Sequence, residues 1–536
     1  MSLTQPTEFS PSIALGPLLG IESDSQYSVC VLIHQKFIED VSYVELQFGD
    51  SWIQHSKWKP LRDYFYFRFE FSIQPEQVIY KEFTYSIGYN KIILTTSKNK
   101  REFTFRVPPL QKIPDMAFVS CNGSHNTYPT ELPSEDFLGW ENMLKFKPDY
   151  LFLTGDQVYA DPIWDKIKEA KVVRDLEAGV SPELEDQIDK FYLQLYIDSW
   201  SNEFLSQALA TIPNVMTWDD HEIIDGFGSH TKEYQEMPIF IIIAKYAKLY
   251  FEHFQIRTSS NISLLNYPYD YTLYLNIRNY SFIIPDTRLK RTRKQVLDER
   301  QYLAIEHLLG KREFQPSITY FEEKKNMNVI CFILPVPIAH RDYNSPGEKI
   351  YGFFSGLFNK IRAFNFGTTE DDDLVDHWDH VYHQKEQKRM LDLIFQFGAR
   401  FKPKNLLIVS GDVHSGGAAT VYKTDSHQSE TATQIITSPI VNTPVSYNIS
   451  ELMGLVSKST TRISGYLLNL RNFGSYKVAN ITARNYVIVS EYGKRLIANM
   501  YIQLDGKWPD KYSAARTLND FDSPVKSEPE PEPWLQ

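Results

Sequence analysis

The chain reads as an α/β protein with an antiparallel β-sandwich in front of it. Three observations predict that class. Short period-two runs with no helical stretch between them fill the chain up to about Val107. After Pro114 apolar strands alternate with amphipathic helical segments. Several of those strands break off in a cluster of polar residues.

The front part rests on YSVCVLIH, VSYVELQF, DYFYFRFEF, EFTYSIGY, KIILTT and REFTFRV, which lie between Ile21 and Val107 and are separated by charged or turn-forming residues. Such runs predict roughly seven strands in an antiparallel sandwich of immunoglobulin or fibronectin type. PPLQKIPD (108–115) has a linker's composition, which places a first domain at residues 1–112. The helical segments behind it are SEDFLGWENMLKF (134–146), LEDQIDKFYLQLYIDSW (184–200), DERQYLAIEHLL (298–309) and HQKEQKRMLDLIFQF (383–397). Interleaved with strands, they predict an α/β domain over 113–510. Residues 511–536 end in SEPEPEPWLQ, and alternating proline and glutamate cannot build a core, so an extended acidic tail is expected.

Composition narrows the functional classes. The 536 residues carry a net charge of −11, which argues against non-specific nucleic-acid binding, since that needs Lys and Arg to displace phosphate counterions. Cys30, Cys121 and Cys331 are widely spaced and supply neither a disulfide framework nor a CxxC zinc site. The N-terminus MSLTQPTEFSPS has no basic n-region or apolar h-region, and no apolar run is long enough to span a bilayer. A soluble, cytoplasmic protein without transmembrane segment is expected.

Five strands finish in polar clusters. MAFVS runs into Cys121-Asn122, DYLFLT into Gly155-Asp156, NVMTW into Asp219-Asp220-His221-Glu222, SFIIP into Asp286-Thr287-Arg288, and NLLIVS into Gly411-Asp412-Val413-His414. Open α/β sheets bind ligands beyond the carboxyl ends of their strands, so these clusters predict one pocket. So many aspartates cannot stay ionised together without a cation. Carboxylates with imidazole and few thiolates suit Zn, Mn or Fe, and an aspartate at a strand end is a common bridge between two metal ions. Tyr159 stands three residues after Asp156, and a phenolate there would favour ferric iron, because the free phenol ionises only near a pKa of about 10.

GDQVYAD, WDDHE, DTRxxRT and SGDVH, met in this order over about residues 113–505, resemble the PhoD-type alkaline phosphatase D family of the calcineurin-like metallophosphoesterase superfamily, and GDxxYAD also resembles purple acid phosphatases. The resemblance implies the αββα sandwich core of that superfamily, preceded by the sandwich. It implies Cys121 in the first metal-ligand slot, Asp156 as bridging ligand and Tyr159 as a second ligand of a ferric site. Asp220 would bind the second metal, with Asp219 as the next candidate, and His221 would protonate the leaving oxygen or steady the transition state, while Asp412 would serve the second metal and His414 the first. The second metal usually receives another histidine, but VICFILPVPIAH offers only His340, six residues beyond Leu334. An oxygen-rich second site fits the Fe3+ with Ca2+ found in the family, with Zn2+ or Mn2+ as alternatives.

The implied activity is phosphomonoester or phosphodiester hydrolysis, in which the metals polarise the phosphoryl oxygens and acidify a bound water to hydroxide. Arg288 is the expected clamp for a non-bridging oxygen, since guanidinium matches phosphate in a bidentate fork, and Asn122 is a second candidate. Asp219, Glu222 and Asp225 are expected to orient neighbours, Asp286 to hold Arg288, and His125 and the DHWDH run (Asp376, His377, Trp378, Asp379, His380) to be solvated loop residues. The substrate is expected to be a phosphoester on a small molecule, a phospholipid headgroup or a phosphoprotein. A catalytically silent scaffold is the rival reading, and the glutamate-rich C-terminus resembles translocation signals of bacterial type IV effectors, which allows an enzyme delivered into a host cell.

Overall fold

The computed structural model describes residues 12–124, 127–169, 179–257, 261–310, 328–340, 376–424, 430–445, 460–471, 480–492, 495–504, 506–509 and 516–518. Of the tail expected over 511–536 only Arg516–Leu518 is described, and against that expectation it is a strand paired antiparallel with Arg495–Ile502; the rest of it, His125 and most of the 340–380 loop lie outside the described residues. The chain is a mixed α/β protein, with three sheets among the described residues.

The alternating runs form strands because one face of each is buried. Phe103–Val107 alternates buried Phe103, Phe105 and Val107 with more exposed neighbours, and pairs with Lys81–Tyr89, which pairs in turn with Val44–Phe48 and that with Ser51–Gln54. Across this sheet lie Gln26–His34 and Tyr64–Ser72 of a second one, and aromatic rings fill the space between them. Tyr27 meets Phe105 at 5.7 Å and Phe48 meets Phe71 at 4.9 Å.

That second sheet does not stop at the front part. Ser12–Ile21, a strand the period-two reading did not include, pairs antiparallel with Gln26–His34 and parallel with Asn214–Thr217 through Gly20 opposite Asn214. Its register shifts around Gly16-Pro17, where proline lacks a donor, hide the alternation from the sequence. The sheet continues through the parallel strands Tyr150–Thr154 and Met116–Val119 to Asn485–Tyr492 and Arg495–Ile502.

The third sheet holds the parallel strands Tyr280–Ile284, Val329–Ile333, Asn405–Ser410 and Thr431–Ile436. It faces the second sheet through apolar side chains, with Phe152 stacked on Phe282 at 4.2 Å. Both parallel strand sets are buried on each face and read as continuous apolar runs. Helices cover the outer faces. Pro182–Ser199 starts on Ser181, whose hydroxyl accepts from Leu184 N, and packs against Pro238–Phe254. Gln384–Phe401 covers the third sheet with Met390, Leu391, Ile394 and Phe397. The two sheets thus present the carboxyl ends of their parallel strands to a common rim.

Candidate metal centre

At that rim the two sheets nearly touch. Gly411 lies so close to Ser120 that a Cβ on it would fall 2.5 Å from the serine Cβ, so only glycine fits. Gly155, at φ +116°, turns the chain out of its strand beside Asp219 in a conformation L-residues rarely adopt. The residues that follow these strands are themselves bent: Cys121, Asp156, Asp412 and His414 all have φ between +47° and +62°. Each such residue costs about 1–3 kcal/mol and persists only where its surroundings impose it. Here backbone bonds do so, from Asn122 N to Asp156 O (2.8 Å), Asn442 N to Cys121 O (3.1 Å) and His414 N to Asp412 O (2.7 Å).

The strand ends bring the expected ligands together. Donor atoms of Cys121, Asp156 and His414 lie within 4.8 Å of one another, and so do those of Asp156, Asp219, Asp220 and Asp412, and of Asp156, Asp220 and His221. Asp156 belongs to all three groups. Cys121 Sγ stands 3.3 Å from Asp156 Oδ2 and 3.0 Å from Ser438 Oγ. The Tyr159 hydroxyl is 3.4 Å from His414 Nε2, and its ring stacks on His221 at 4.4 Å. His340 joins none of these groups; it stands 5.4 Å from the His377 ring. The fourth place in the carboxylate group is taken by Asp219, not by a histidine.

The electrostatics ask for a cation. Burial raises the Asp156 and Asp412 carboxyls well above the ordinary range, and Asp219 and Asp220 push both further. Burial and Asp156 raise the Cys121 thiol, and burial and Cys121 raise the Tyr159 phenol. Asp156 Oδ1 and Asp219 Oδ2 are buried without a hydrogen-bond partner. A cluster of buried acids with two unsatisfied oxygens suits metal ions.

Residues 116–490 match the family model of the PhoD-like phosphatases. The chain belongs to the PhoD-like phosphatase family. It is 24% identical over 383 residues to an uncharacterized protein of Saccharomyces cerevisiae, covering 58% of this chain and 51% of that one. It is 25% identical over 364 residues to alkaline phosphatase D of Bacillus subtilis, covering 65% of this chain and 53% of that protein. The chain thus spans about half the length of the curated relatives it matches. A solved structure of PhoD superposes with a TM-score of 0.58 at 15% identity, covering 97% of this chain and 94% of that one, which supports the shared fold.

Around the centre this PhoD-like chain places Asp161 and Asn442, to which the sequence reading gave no role, and Glu222, which it expected to orient neighbours. Asp161, the last residue of GDQVYAD, lies against His221 Nδ1 at 2.9 Å and also accepts from Asp225 N. Burial alone would lower the His221 pKa, but Asp161 and Asp220 outweigh it and raise it well above the usual histidine range. Asn442 reaches His414 Nε2 with its amide nitrogen at 3.4 Å. Glu222 accepts from the backbone N–H groups of Asp156, Gln157 and Asp219, which ties two strand ends to one carboxylate.

The setting of Arg288 also differs from the open clamp expected. Nε meets Asp219 Oδ1, Nη1 meets Phe227 O (3.2 Å) and Asp376 Oδ1 (2.8 Å), and Nη2 meets Asp376 Oδ2 (2.7 Å) and Asp220 Oδ1 (3.4 Å). All five donors are engaged. Asp286 holds the backbone N–H of Arg288 and the indole of Trp218, not the guanidinium. Asp376 corrects the expectation of a solvated loop: it is buried, and despite that burial Arg288 and Arg291 hold its carboxyl below the usual range. Asp219 and Asp220 divide accordingly. Burial pushes Asp219 up to about 7, whereas Asp220, beside Arg288 and His221 and accepting from Gly226 N at 2.7 Å, is held low against its own burial. Asn122 is likewise occupied, accepting from Trp140 Nε1 at 2.7 Å and donating to Gln157 O at 3.2 Å.

Proposed function

We propose that the chain is a metal-dependent phosphoesterase that hydrolyses phosphomonoesters, phosphodiesters or both at a two-ion site. One observation carries the reading: Asp156 is common to a thiol–imidazole group and to a group of carboxylates, the arrangement a bridging ligand requires. Cys121, His414, Tyr159 and Asp156 would hold one ion, and Asp156, Asp220 and Asp412, with Asp219 at hand, the other. The first donor set mixes sulfur, nitrogen and oxygen and suits Fe3+, with Zn2+ or Mn2+ as alternatives; the second is all oxygen and suits a hard ion such as Ca2+. Bound there, the ions would supply the positive charge that polarises a phosphoryl group and acidifies water.

The chain's own residues do the rest. Asp161 fixes the His221 ring by accepting a hydrogen bond from Nδ1–H, which assigns Nε2 as the atom that delivers a proton to a leaving oxygen, and the pKa raised by Asp161 and Asp220 favours the protonated imidazole that this role needs. Tyr159 limits the ring's rotation by stacking. Arg288 holds Asp219 and Asp220 in register with Asp376 and acts on the ligands, not on the substrate.

In this reading residues 1–112 form the immunoglobulin-like sandwich, 113–510 the αββα catalytic domain and 511–536 a tail, although one sheet runs through the first two and takes in Arg516–Leu518 of the third. The substrate is a phosphoester on a small molecule, a lipid headgroup or a protein. No helix among the described residues is long and apolar enough to cross a membrane. The test is turnover of aryl phosphate and aryl phosphodiester by purified, metal-loaded protein. Release of phenolate that disappears on chelation and in both Asp156→Asn and His414→Ala supports the reading, and activity that survives thorough chelation overturns it.

A further inference from the structure

Arg288 and Arg291 anchor the start of a basic segment whose outer part the catalytic reading leaves unused. Thr292 and Gln295 close a tight turn with backbone bonds of 2.8 and 3.0 Å, and Arg293 and Lys294 stand at its tip. Lys290 and Arg300 both lie 4.1 Å from the centroid of the Tyr269 ring, and Lys294 lies 5.8 Å from that of Tyr382. Next to Tyr382, which is 44% exposed, Val381 is 63% exposed. Among the described residues none of these four cations has an ion-pair partner. Neighbouring Glu299 is bound by Arg389, and Asp298 caps its helix and takes the Tyr269 hydroxyl.

The patch is anchored near the metal centre. Its root is buried, since Arg291 bonds Ser229 and the Asp376 carbonyl. Arg288 itself touches Asp220, and Lys294 is six residues further on, so the Lys294 Cα lies within roughly 22 Å of the Arg288 Cα even if that segment were fully extended.

We propose that this rim, with Arg293 and Lys294 at its tip and Val381 and Tyr382 beside it, docks the protein on an anionic phospholipid surface. The local charge is opposite in sign to the chain's net −11, and surface charge acts over about 8 Å at physiological salt, so the patch governs the contact. An aliphatic and an aromatic side chain exposed among cations suit a headgroup layer that accepts apolar groups, which a phosphate polymer or an acidic peptide does not offer. Only the consequence, that docking brings the centre to phosphoesters carried on lipid, rests on the phosphoesterase reading.

The test is flotation of the full chain with phosphatidylcholine vesicles, with and without phosphatidylserine. Each cation near an anionic leaflet is worth about fivefold in binding. The protein is expected to float with the anionic vesicles alone. Lys290→Gln/Arg293→Gln/Lys294→Gln/Arg300→Gln, with an unchanged melting temperature, should lose about a hundredfold or more of that partitioning, and Val381→Ser/Tyr382→Ser should weaken it as well. The same flotation by the fourfold variant overturns the proposal, as does no flotation of the unaltered protein. So does complete displacement by poly-glutamate when Val381→Ser/Tyr382→Ser behaves as the unaltered protein, which would assign the patch to an acidic polymer. Flotation needs no turnover, so a chain that floats without hydrolysing soluble aryl phosphates fails the phosphoesterase reading and not this one.

Discussion

The carboxylate of Asp161 lies 2.9 Å from His221 Nδ1, and both groups are largely buried. That pairing fixes which ring nitrogen faces the centre and favours the imidazolium. Asp161→Asn should lower kcat about tenfold to a hundredfold with little change in KM, and should move the alkaline limb of the kcat profile to lower pH as the histidine loses its proton sooner. Steady-state kinetics across pH on both proteins measures this. An unchanged limb would mean that Asp161 only packs.

Arg288 satisfies three buried carboxylates at once, so its replacement should be felt in stability before substrate affinity. Arg288→Met should destabilise the metal-free protein by about 3–5 kcal/mol, the range for stranding buried charge. An open phosphate clamp would behave oppositely, raising KM with an unaltered melting temperature. Thermal melting and KM on the same sample separate the two.

Asp376 gives a pH signature. Its folded pKa is depressed, so its contribution to stability is present above the unfolded value of about 3.9 and is lost as pH falls through the folded one. The melting temperature gap between the unaltered protein and Asp376→Asn should therefore stay level from neutral pH down to about 5 and narrow below about 4. Melting curves at equal metal content test this, and a gap that widens in acid would contradict it.

Asp412 combines a strained backbone with a carboxyl raised by burial and by Asp219 and Asp220. Asparagine tolerates that backbone and carries no charge. Asp412→Asn should raise the stability of the metal-free protein by about 1–2 kcal/mol while abolishing turnover, the trade expected where a site is built against folding. Calorimetry and a phosphatase assay on one preparation check both halves.

If Tyr159 ligates ferric iron, the loaded protein is coloured by phenolate-to-iron charge transfer. Tyr159→Phe should bleach it, and an absorbance spectrum decides.

Much of this site was legible because its residues follow directly on strands. A buried parallel strand is a continuous apolar run, and its end is marked by the first polar residues after it, so the clusters at Cys121, Asp156, Asp219-Asp220 and Asp412 could be picked out one by one, and the family resemblance chose the expected ligand within each. What stayed hidden depends on contacts across the fold. Asp376 reads as part of an acidic loop because nothing local shows that two arginines, 85 and 88 residues upstream, fold onto it. Asp161 stood inside a motif, but its service to His221 needs a 60-residue contact. Ser12–Ile21 was missed for a local reason: the register shift at Gly16-Pro17 erases the alternation that marks a strand.

The most direct measurement of the central claim is anomalous X-ray scattering from crystals of the metal-loaded protein. Two ions about 4 Å apart, both bonded to the Asp156 carboxylate, are the predicted result. A single ion, or ions held away from Asp156, would contradict the account.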